Sequence, residues 1–201
     1  MATAGHVVAL QDSEAFRDTD ANSVTCLRTS ASFYVEYSSR QKLALSKVVA
    51  ARRHIEVDKE PCRVLQGLYI GSLGAARSRA TLKRLGISHI VNASPVVPCF
   101  HRHSFKYKTV LVYDDNDEDI MQHFHETNKF INEARQAGGA LVHCYAGKSR
   151  SATLILAYLL ACEGLPLHDA FAVLLAARPC AAPNSGFMQQ LAQFSSAVHA
   201  A

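Results

Sequence analysis

A strand-like segment, a loop with one glycine and a long apolar helix follow one another within residues 140–162. Residues 140–143 predict a short buried strand, and residues 149–162 predict a buried helix. A loop that ends at a helix N-terminus points several free backbone N–H groups at one spot, and the helix dipole adds a positive potential there. The segment therefore predicts an anion-binding site where a strand of a sheet ends.

From Pro61 onward, candidate strands alternate with candidate helices. The other predicted strands are residues 64–70, with Gly67 as a candidate turn, 89–93 and 107–113. The other predicted helices are residues 75–85, which Gly86 ends, 120–137, 167–177 and 185–198. The alternation indicates an α/β fold with a central mixed sheet flanked by helices, and the consecutive helices at the end predict a helical layer over one face.

The first 60 residues differ in character from residues 61–201, so we predict an N-terminal extension, partly disordered, followed by one globular domain. Residues 9–32 are polar and rich in Ser, Thr and Asp, which predicts a mobile arm. Residues 43–51 predict a short helix. No apolar run reaches the ~18 residues of a membrane span, and the N-terminus has no secretory pattern, so neither a membrane span nor export is expected.

The chain has six cysteines at wide spacings without a CxxC pair. This pattern predicts free thiols in a reducing compartment, hence a cytoplasmic protein that also has access to the nucleus. The ten histidines and the cysteines show no paired ligand spacing, so we expect no metal and no other cofactor. Residues 61–113 carry eight basic and no acidic side chains, which favours an anionic ligand. A nucleic-acid motif is absent from the sequence, and we expect no such partner.

Cys144 lies at the start of the anion-binding loop, and Arg150 lies where the following helix begins. Gly147 allows the backbone to turn inward, and the planar fork of Arg150 can hold two phosphate oxygens. Amide dipoles, a helix N-terminus and an arginine favour thiolate over thiol, and such surroundings lower the pKa of cysteines to somewhere in ~3.5–7.5. A thiolate within a phosphate site is a nucleophile placed to attack phosphorus.

The nine residues from His143 to Ser151, His-Cys-Tyr-Ala-Gly-Lys-Ser-Arg-Ser, resemble the signature of dual-specificity protein phosphatases, members of the cysteine-based protein tyrosine phosphatase superfamily. Residues 67–71 resemble the first strand of that family, residues 89–94 its second segment and residues 183–187 its late Pro-Asn-x-Gly-Phe element. The resemblance covers residues 61–197, which it identifies as a catalytic domain, and is strongest to MAP-kinase-phosphatase-like members.

The resemblance implies a role for each matching residue. It makes Cys144 the nucleophile and Asp114 the general acid, with Asp115 and Asp117 as alternatives, while Asp119 is expected to cap the following helix. The hydroxyl of Ser151 would help the sulfur leave, His143 would orient the loop, and Asn184 would brace the loop or cap the last helix. The residues expected to bind phosphate are Tyr145, Ala146, Gly147, Lys148, Ser149 and Arg150.

Hydrolysis of phosphotyrosine and phosphoserine or phosphothreonine in proteins, through a cysteinyl phosphate, is the implied activity. Phosphoinositide, glucan or RNA 5′-phosphate are alternative substrates, and Lys148 would suit an inositol headgroup. A binding module or an arsenate-reductase-like thiol enzyme fits less well, because the catalytic residues are present and the loop has no second cysteine. Arg52, Arg53, Ile55 and Val57 resemble a MAP kinase docking motif, so a MAP kinase is a candidate partner of this chain, which we expect to be a monomer.

Overall fold

The computed structural model describes residues 57–200 and the strands β1 (Thr25–Thr29) and β2 (Ser32–Glu36). Contacts divide the chain into two units, Met1–Ala50 and Ala51–Ala201. In the first unit, β1 and β2 form an antiparallel hairpin. The prediction of a mobile arm through residue 32 is therefore wrong for Thr25–Thr29, where β-branched residues favour a strand once β2 pairs with it. The helix predicted over residues 43–51 lies outside the described residues.

The second unit is built on a five-stranded mixed sheet in the order β3-β4-β7-β5-β6. Its strands are β3 (Cys62–Leu65), β4 (Leu68–Gly71), β5 (His89–Asn92), β6 (Lys106–Thr109) and β7 (Ala140–His143). The β3 strand runs antiparallel to β4, and the other pairings are parallel. Every residue of the two central strands β5 and β7 is buried, as expected for parallel strands covered on both faces.

Seven helices cover the sheet in the described part of the second unit. They are α1 (Leu73–Arg77), α2 (Arg79–Arg84), a 3-10 turn (Met121–His123), α3 (Phe124–Gln136), α4 (Arg150–Cys162), α5 (Leu167–Ala177) and α6 (Ser185–His199). The α4 helix is buried on all sides over residues 150–160, because it lies between the sheet and α3, α5 and α6. The predicted α/β fold and its helical layer are confirmed. None of these helices is long and apolar enough to cross a membrane.

Three predicted elements differ from the structure. The strand predicted over residues 64–70 is a hairpin, β3 and β4, which turns at Gly67 with a φ of 72°. The helix predicted over residues 75–85 begins earlier and is interrupted at Ser78, whose side chain accepts a hydrogen bond from Thr81 N and caps α2. The strand predicted over residues 107–113 ends at Thr109. After Thr109 buried and exposed residues still alternate, so the alternation in the sequence reflects burial and not pairing with a neighbouring strand.

Two ion pairs attach the residues before β3 to the rest of the second unit. Asp58 pairs with Arg178, and Glu60 pairs with Arg84. The unit accordingly begins before the predicted boundary at residue 61. The sequence did not indicate this boundary, because each pair joins residues that are distant along the chain.

Candidate active site

The carbonyl groups of the loop between β7 and α4 all point away from its centre. Each accepts a hydrogen bond from a group beyond the loop: Tyr145 O from Leu73 N, Ala146 O and Gly147 O from Arg178, Lys148 O from Ala182 N, and Ser149 O from Thr153 N. In a planar trans peptide, the C=O and the following N–H point in opposite directions. The amide N–H groups of the loop therefore face inward and form a concave site for an anion.

Gly147 is required for this close approach. Its φ is 67°, in the left-handed region that favours glycine. A Cβ at this position would lie 2.5 Å from Gly71 O and 2.7 Å from the Arg178 guanidinium, so a side chain has no room.

Cys144 lies at the base of the loop and is 1% exposed. Gly147 N donates a hydrogen bond to its Sγ at 3.2 Å, and Ser151 Oγ lies 3.3 Å from the same sulfur. The backbone of the loop and the first turn of α4 therefore both hold the Cys144 sulfur in place. Cys144 and the other described cysteines are free thiols.

Arg150, the first residue of α4, is buried with its guanidinium beside the loop that follows β6. Its Nη1 donates a hydrogen bond to Val112 O at 3.4 Å, and its Nε lies 3.6 Å from Asp114 Oδ2. Among the described residues, Nε has no hydrogen-bond partner. Buried N–H groups in folded proteins are nearly always hydrogen-bonded. This Nε is therefore suited to donate a hydrogen bond to an oxygen of a bound anion.

Asp114 is the acidic residue that contacts the anion-binding loop. Its Oδ1 accepts hydrogen bonds from Ser149 Oγ at 2.6 Å and from Asn184 Nδ2 at 3.1 Å. The Oδ1 of Asp115 instead accepts from Asp117 N within its own loop. Asp119 Oδ1 accepts a hydrogen bond from Gln122 N, but the N-cap positions of the 3-10 turn and of α3 are Ile120 and His123, without side-chain caps, so the prediction that Asp119 caps the following helix is wrong.

Asn184 both caps the last helix and braces the anion-binding loop. Its Oδ1 accepts from Phe187 N at 2.9 Å and caps α6. Its Nδ2 donates to Asp114 Oδ1 and to Asp115 O, and its backbone N donates to Ser149 Oγ. The cap of the last helix thereby joins the loop of Asp114 to the anion-binding loop.

His143 is buried at the end of β7. Its Nδ1 donates to the carbonyl oxygen of Cys144 at 3.3 Å. Burial lowers the pKa of His143 from 6.5 to about 4, although the hydrogen bond to Cys144 opposes the shift. The ring is therefore neutral at physiological pH, and its contact fixes the backbone on which Cys144 sits.

Three features of the site were missed by the sequence analysis. Arg178 holds two carbonyls of the loop, the hydroxyl of Ser149 joins Asp114 to Asn184, and Gly186 packs against the backbone of Asn116. Each joins segments that are remote in sequence. An arginine before a proline or a glycine near a helix start carries no local signal for such a contact. In the described residues, no group of three or more His, Cys, Asp or Glu side chains is placed to hold a metal.

The fold and the site together define a class. A mixed sheet places a cysteine beneath inward-facing amides and an arginine at the start of the next helix, which is the arrangement of the cysteine-based protein tyrosine phosphatases. The family model "Dual specificity phosphatase, catalytic domain" matches residues 68–197.

Similar proteins agree with this match. Dual specificity protein phosphatase 1 of Arabidopsis thaliana is 40% identical over 159 residues, which are 79% of this chain and 80% of the relative. MAP kinase phosphatase with leucine-rich repeats protein 3 of Dictyostelium discoideum is 38% identical over 135 residues, 67% of this chain and 16% of that longer protein. The crystal structure of human DUSP28 superposes with a TM-score of 0.67 at 36% identity, covering 69% of this chain and 95% of that one.

The chain belongs to the dual specificity phosphatase family. It is an enzyme that hydrolyses phosphate esters on proteins.

Proposed function

We propose that the chain dephosphorylates phosphotyrosine and phosphoserine or phosphothreonine through a cysteinyl phosphate on Cys144, and that MAP kinases are among its substrates. The observation that carries the chemistry is the placement of Cys144 Sγ at the base of the loop, 3.2 Å from Gly147 N and 3.3 Å from Ser151 Oγ. A sulfur there lies below the point at which the loop amides converge, where a phosphate group would bind.

In the first step, the thiolate of Cys144 attacks phosphorus, a P–S bond forms and the P–O bond to the substrate side chain breaks. Arg150 and the inward amides hold the phosphate oxygens. Protonated Asp114 gives its proton to the leaving oxygen, which becomes the free hydroxyl of the protein substrate. Oδ1 already accepts two hydrogen bonds, so Oδ2, 3.6 Å from Arg150 Nε, is the oxygen that carries this proton.

In the second step, water attacks phosphorus, and the Asp114 carboxylate accepts the proton that the water loses. The P–S bond breaks and inorganic phosphate is released. Ser151 donates a hydrogen bond to the departing sulfur, which stabilises the thiolate that leaves. The enzyme returns to its starting state with Asp114 protonated and Cys144 ionised.

The nucleophile and the phosphate contact are tested by Cys144→Ser and Arg150→Lys. Cys144→Ser should abolish turnover and still bind a phosphopeptide, because the amides of the loop remain. Arg150→Lys should also lose most activity, because an ammonium cannot make two parallel hydrogen bonds to phosphate. Turnover near that of the parent chain in either variant would contradict the corresponding role.

The MAP kinase substrate is supported by the name of the Dictyostelium discoideum relative and by residues 52–57, which resemble a docking motif. Val57, the last residue of the docking-like sequence, is 84% exposed, while Arg52 and Arg53 lie outside the described residues. A basic pair followed by apolar residues would pair with an acidic groove on the kinase.

A double variant, Arg52→Ala with Arg53→Ala, tests this docking. We expect a lower kcat/KM for a phosphorylated MAP kinase and an unchanged kcat/KM for a small aryl phosphate. Arg102→Ala, which removes an exposed arginine of the catalytic unit, is the control. Equal kcat/KM for the kinase in all three proteins would exclude docking through this sequence.

A non-protein substrate remains the second candidate, because the side chain of Lys148 is exposed on the anion-binding loop. Its ammonium would suit a second phosphate of an inositol headgroup. Turnover should be compared on phosphopeptides, phosphoinositides, phosphorylated glucan and RNA 5′-phosphate. We expect the highest kcat/KM on phosphopeptides, and a higher value on another substrate would reassign the enzyme.

We further infer a monomer in the cytoplasm and nucleus, and the wide spacing of the cysteines, typical of free thiols, supports these reducing compartments. Sedimentation equilibrium and a fluorescent fusion in cells test these two inferences. A dimer mass, or retention of the fusion in a secretory organelle, would contradict them.

A further inference from the structure

Arg178 follows α5 and is 3% exposed, although no phosphate-contacting role was predicted for it. Its Nε donates to Gly147 O at 2.6 Å, and its Nη2 donates to Ala146 O at 3.0 Å. A buried arginine is rare unless its donors are satisfied. Here the donors are satisfied by two consecutive carbonyls of the anion-binding loop.

The carbonyl of Ala146 and the N–H of Gly147 belong to the same peptide unit. Because that unit is planar and trans, fixing the carbonyl on Arg178 fixes the N–H on the opposite side. That N–H is the donor to Cys144 Sγ at 3.2 Å. A cation on the carbonyl also polarises the peptide and strengthens its N–H as a donor. Arg178 thus acts on the sulfur through one peptide unit.

The guanidinium is in turn held by Asp58, which precedes β3. Arg178 Nη2 lies 2.5 Å from Asp58 Oδ2, and Nη1 lies 3.3 Å from Oδ1, a two-pronged ion pair. Ser72 Oγ donates to Asp58 O at 3.0 Å and fixes the backbone of the same residue. Burial opposes the charge on Arg178, but the hydrogen bond and the charge of Asp58 outweigh burial and raise the pKa of Arg178 above its ordinary value.

We propose that Arg178, oriented by Asp58, is a positioning residue that directs the Gly147 amide at Cys144, so that Asp58 supports the active site through Arg178. The inference rests on the proposed role of Cys144 as nucleophile. It predicts that weakening the pair lowers the fraction of Cys144 present as thiolate and weakens oxyanion binding. A residue that merely stabilised the fold would change neither property in a protein that remains folded.

Two full-length variants test the proposal. Arg178→Lys keeps the charge but cannot donate to both carbonyls in the plane of a guanidinium. Asp58→Asn keeps the shape of the pair and removes its negative charge. The matched control is Glu60→Gln, which breaks the exposed ion pair of the same segment with Arg84 and leaves Arg178 untouched. Near-ultraviolet circular dichroism at the assay temperature shows which variants are folded.

The first readout is the pH at which iodoacetamide alkylates Cys144 at half its maximal rate, with the modified peptide identified by mass spectrometry. We expect this midpoint to rise by about half to one pH unit in Arg178→Lys, because the Gly147 N–H would no longer be directed at the sulfur. The second readout is inhibition by inorganic phosphate, which should weaken by about three- to tenfold. Asp58→Asn should shift both in the same direction by a smaller amount, and Glu60→Gln should match the parent chain.

Unchanged alkylation midpoints and phosphate inhibition in folded Arg178→Lys or folded Asp58→Asn would overturn the proposal. Equal shifts in Glu60→Gln would also overturn it, because they would reflect the segment as a whole. If Arg178→Lys does not fold, Asp58→Asn decides the outcome alone. Alkylation of Cys144 does not depend on turnover, so the two proposals are tested separately. If Cys144→Ser is inactive but alkylation is unchanged in the variants, only the positioning role of Arg178 fails. If Cys144→Ser keeps its turnover, the role of Cys144 as nucleophile fails instead.

Discussion

Gly186, the second residue of α6, packs against the backbone of Asn116, in the loop that carries the proposed general acid Asp114. A Cβ at Gly186 would lie 1.9 Å from Asn116 O, whereas real Cβ contacts stay above 3.0 Å. Gly186→Ala therefore forces one side of the contact to move by more than 1 Å. The α6 helix is fixed in the core by Phe187 and Leu191, both 0% exposed, whereas Asn116 lies on an exposed loop. We expect the loop to move.

The moving loop carries Asp114, which lies two residues before Asn116. Displacement of a catalytic group by about 1 Å can cost ~10²-fold in rate. We expect this loss in kcat on a phosphotyrosine peptide. An aryl phosphate with a good leaving group needs little protonation, so its kcat should fall much less. The free energy of unfolding of the variant should also be about 1–3 kcal/mol lower than that of the parent chain, the usual range for overpacking.

Stopped-flow or steady-state kcat on both substrates, together with thermal unfolding, checks the result. Ser185→Ala is the control, because it removes the hydrogen bond of Ser185 Oγ to Asn116 Oδ1 at 3.0 Å without adding volume. It should change kcat on the peptide by less than about threefold. The reasoning is refuted if Gly186→Ala keeps the parent kcat on the peptide, or if both substrates lose activity equally.

Three further expectations follow from the same geometry. Asp114→Asn should lower kcat strongly on phosphotyrosine peptides and less on an activated aryl phosphate, and the same selective loss in Asp115→Asn or Asp117→Asn would move the acid there. Because burial depresses the pKa of folded His143 to about 4, its contribution to stability is complete above pH 6.5 and is lost as the pH falls through 4. Thermal unfolding should show that the free energy of unfolding falls by up to about 3 kcal/mol as the pH drops from 6.5 to 4. His143→Gln should reduce this pH dependence, and equal pH dependence in the variant and the parent chain would contradict the assignment. Mild peroxide should inactivate the enzyme reversibly, and bound vanadate should protect Cys144, whereas equal oxidation with and without vanadate, or earlier modification of Cys162 or Cys180, would argue against a reactive thiolate at Cys144.

The anion-binding loop could be predicted from the sequence because its parts are contiguous. Residues 143–151 contain the cysteine, the glycine, the arginine and the helix start within nine positions, and local geometry brings them together. Helices with clear apolar periods were also predicted well, and the bounds of α5 agree with the prediction over residues 167–177.

Contacts between remote segments could not be predicted in the same way. Arg178 contacts Asp58 across 120 positions, and Asn184 contacts Asp114 across 70. A single sequence records neither the burial of an arginine nor the partner of an asparagine. Local periodicity also fails where burial continues without strand pairing, as it does after Thr109.

The parallel sheet explains why these remote segments meet at one place. The register aligns the last residues of three neighbouring strands, Gly71 of β4, His143 of β7 and Asn92 of β5. Loops that leave the carboxyl ends of such strands converge at one edge, which is where α/β folds bind ligands.

The anion-binding loop can lie against the end of β4 because Gly147 has no side chain there. Gly71 O would be 2.5 Å from a Cβ at Gly147. With the backbones this close, Leu73 N reaches Tyr145 O at 3.1 Å, while Arg178 supports the neighbouring carbonyls. A side chain at Gly147 would separate the loop from both supports at once. The position of the Cys144 sulfur therefore depends on Gly147 both through its N–H and through the close approach that it allows.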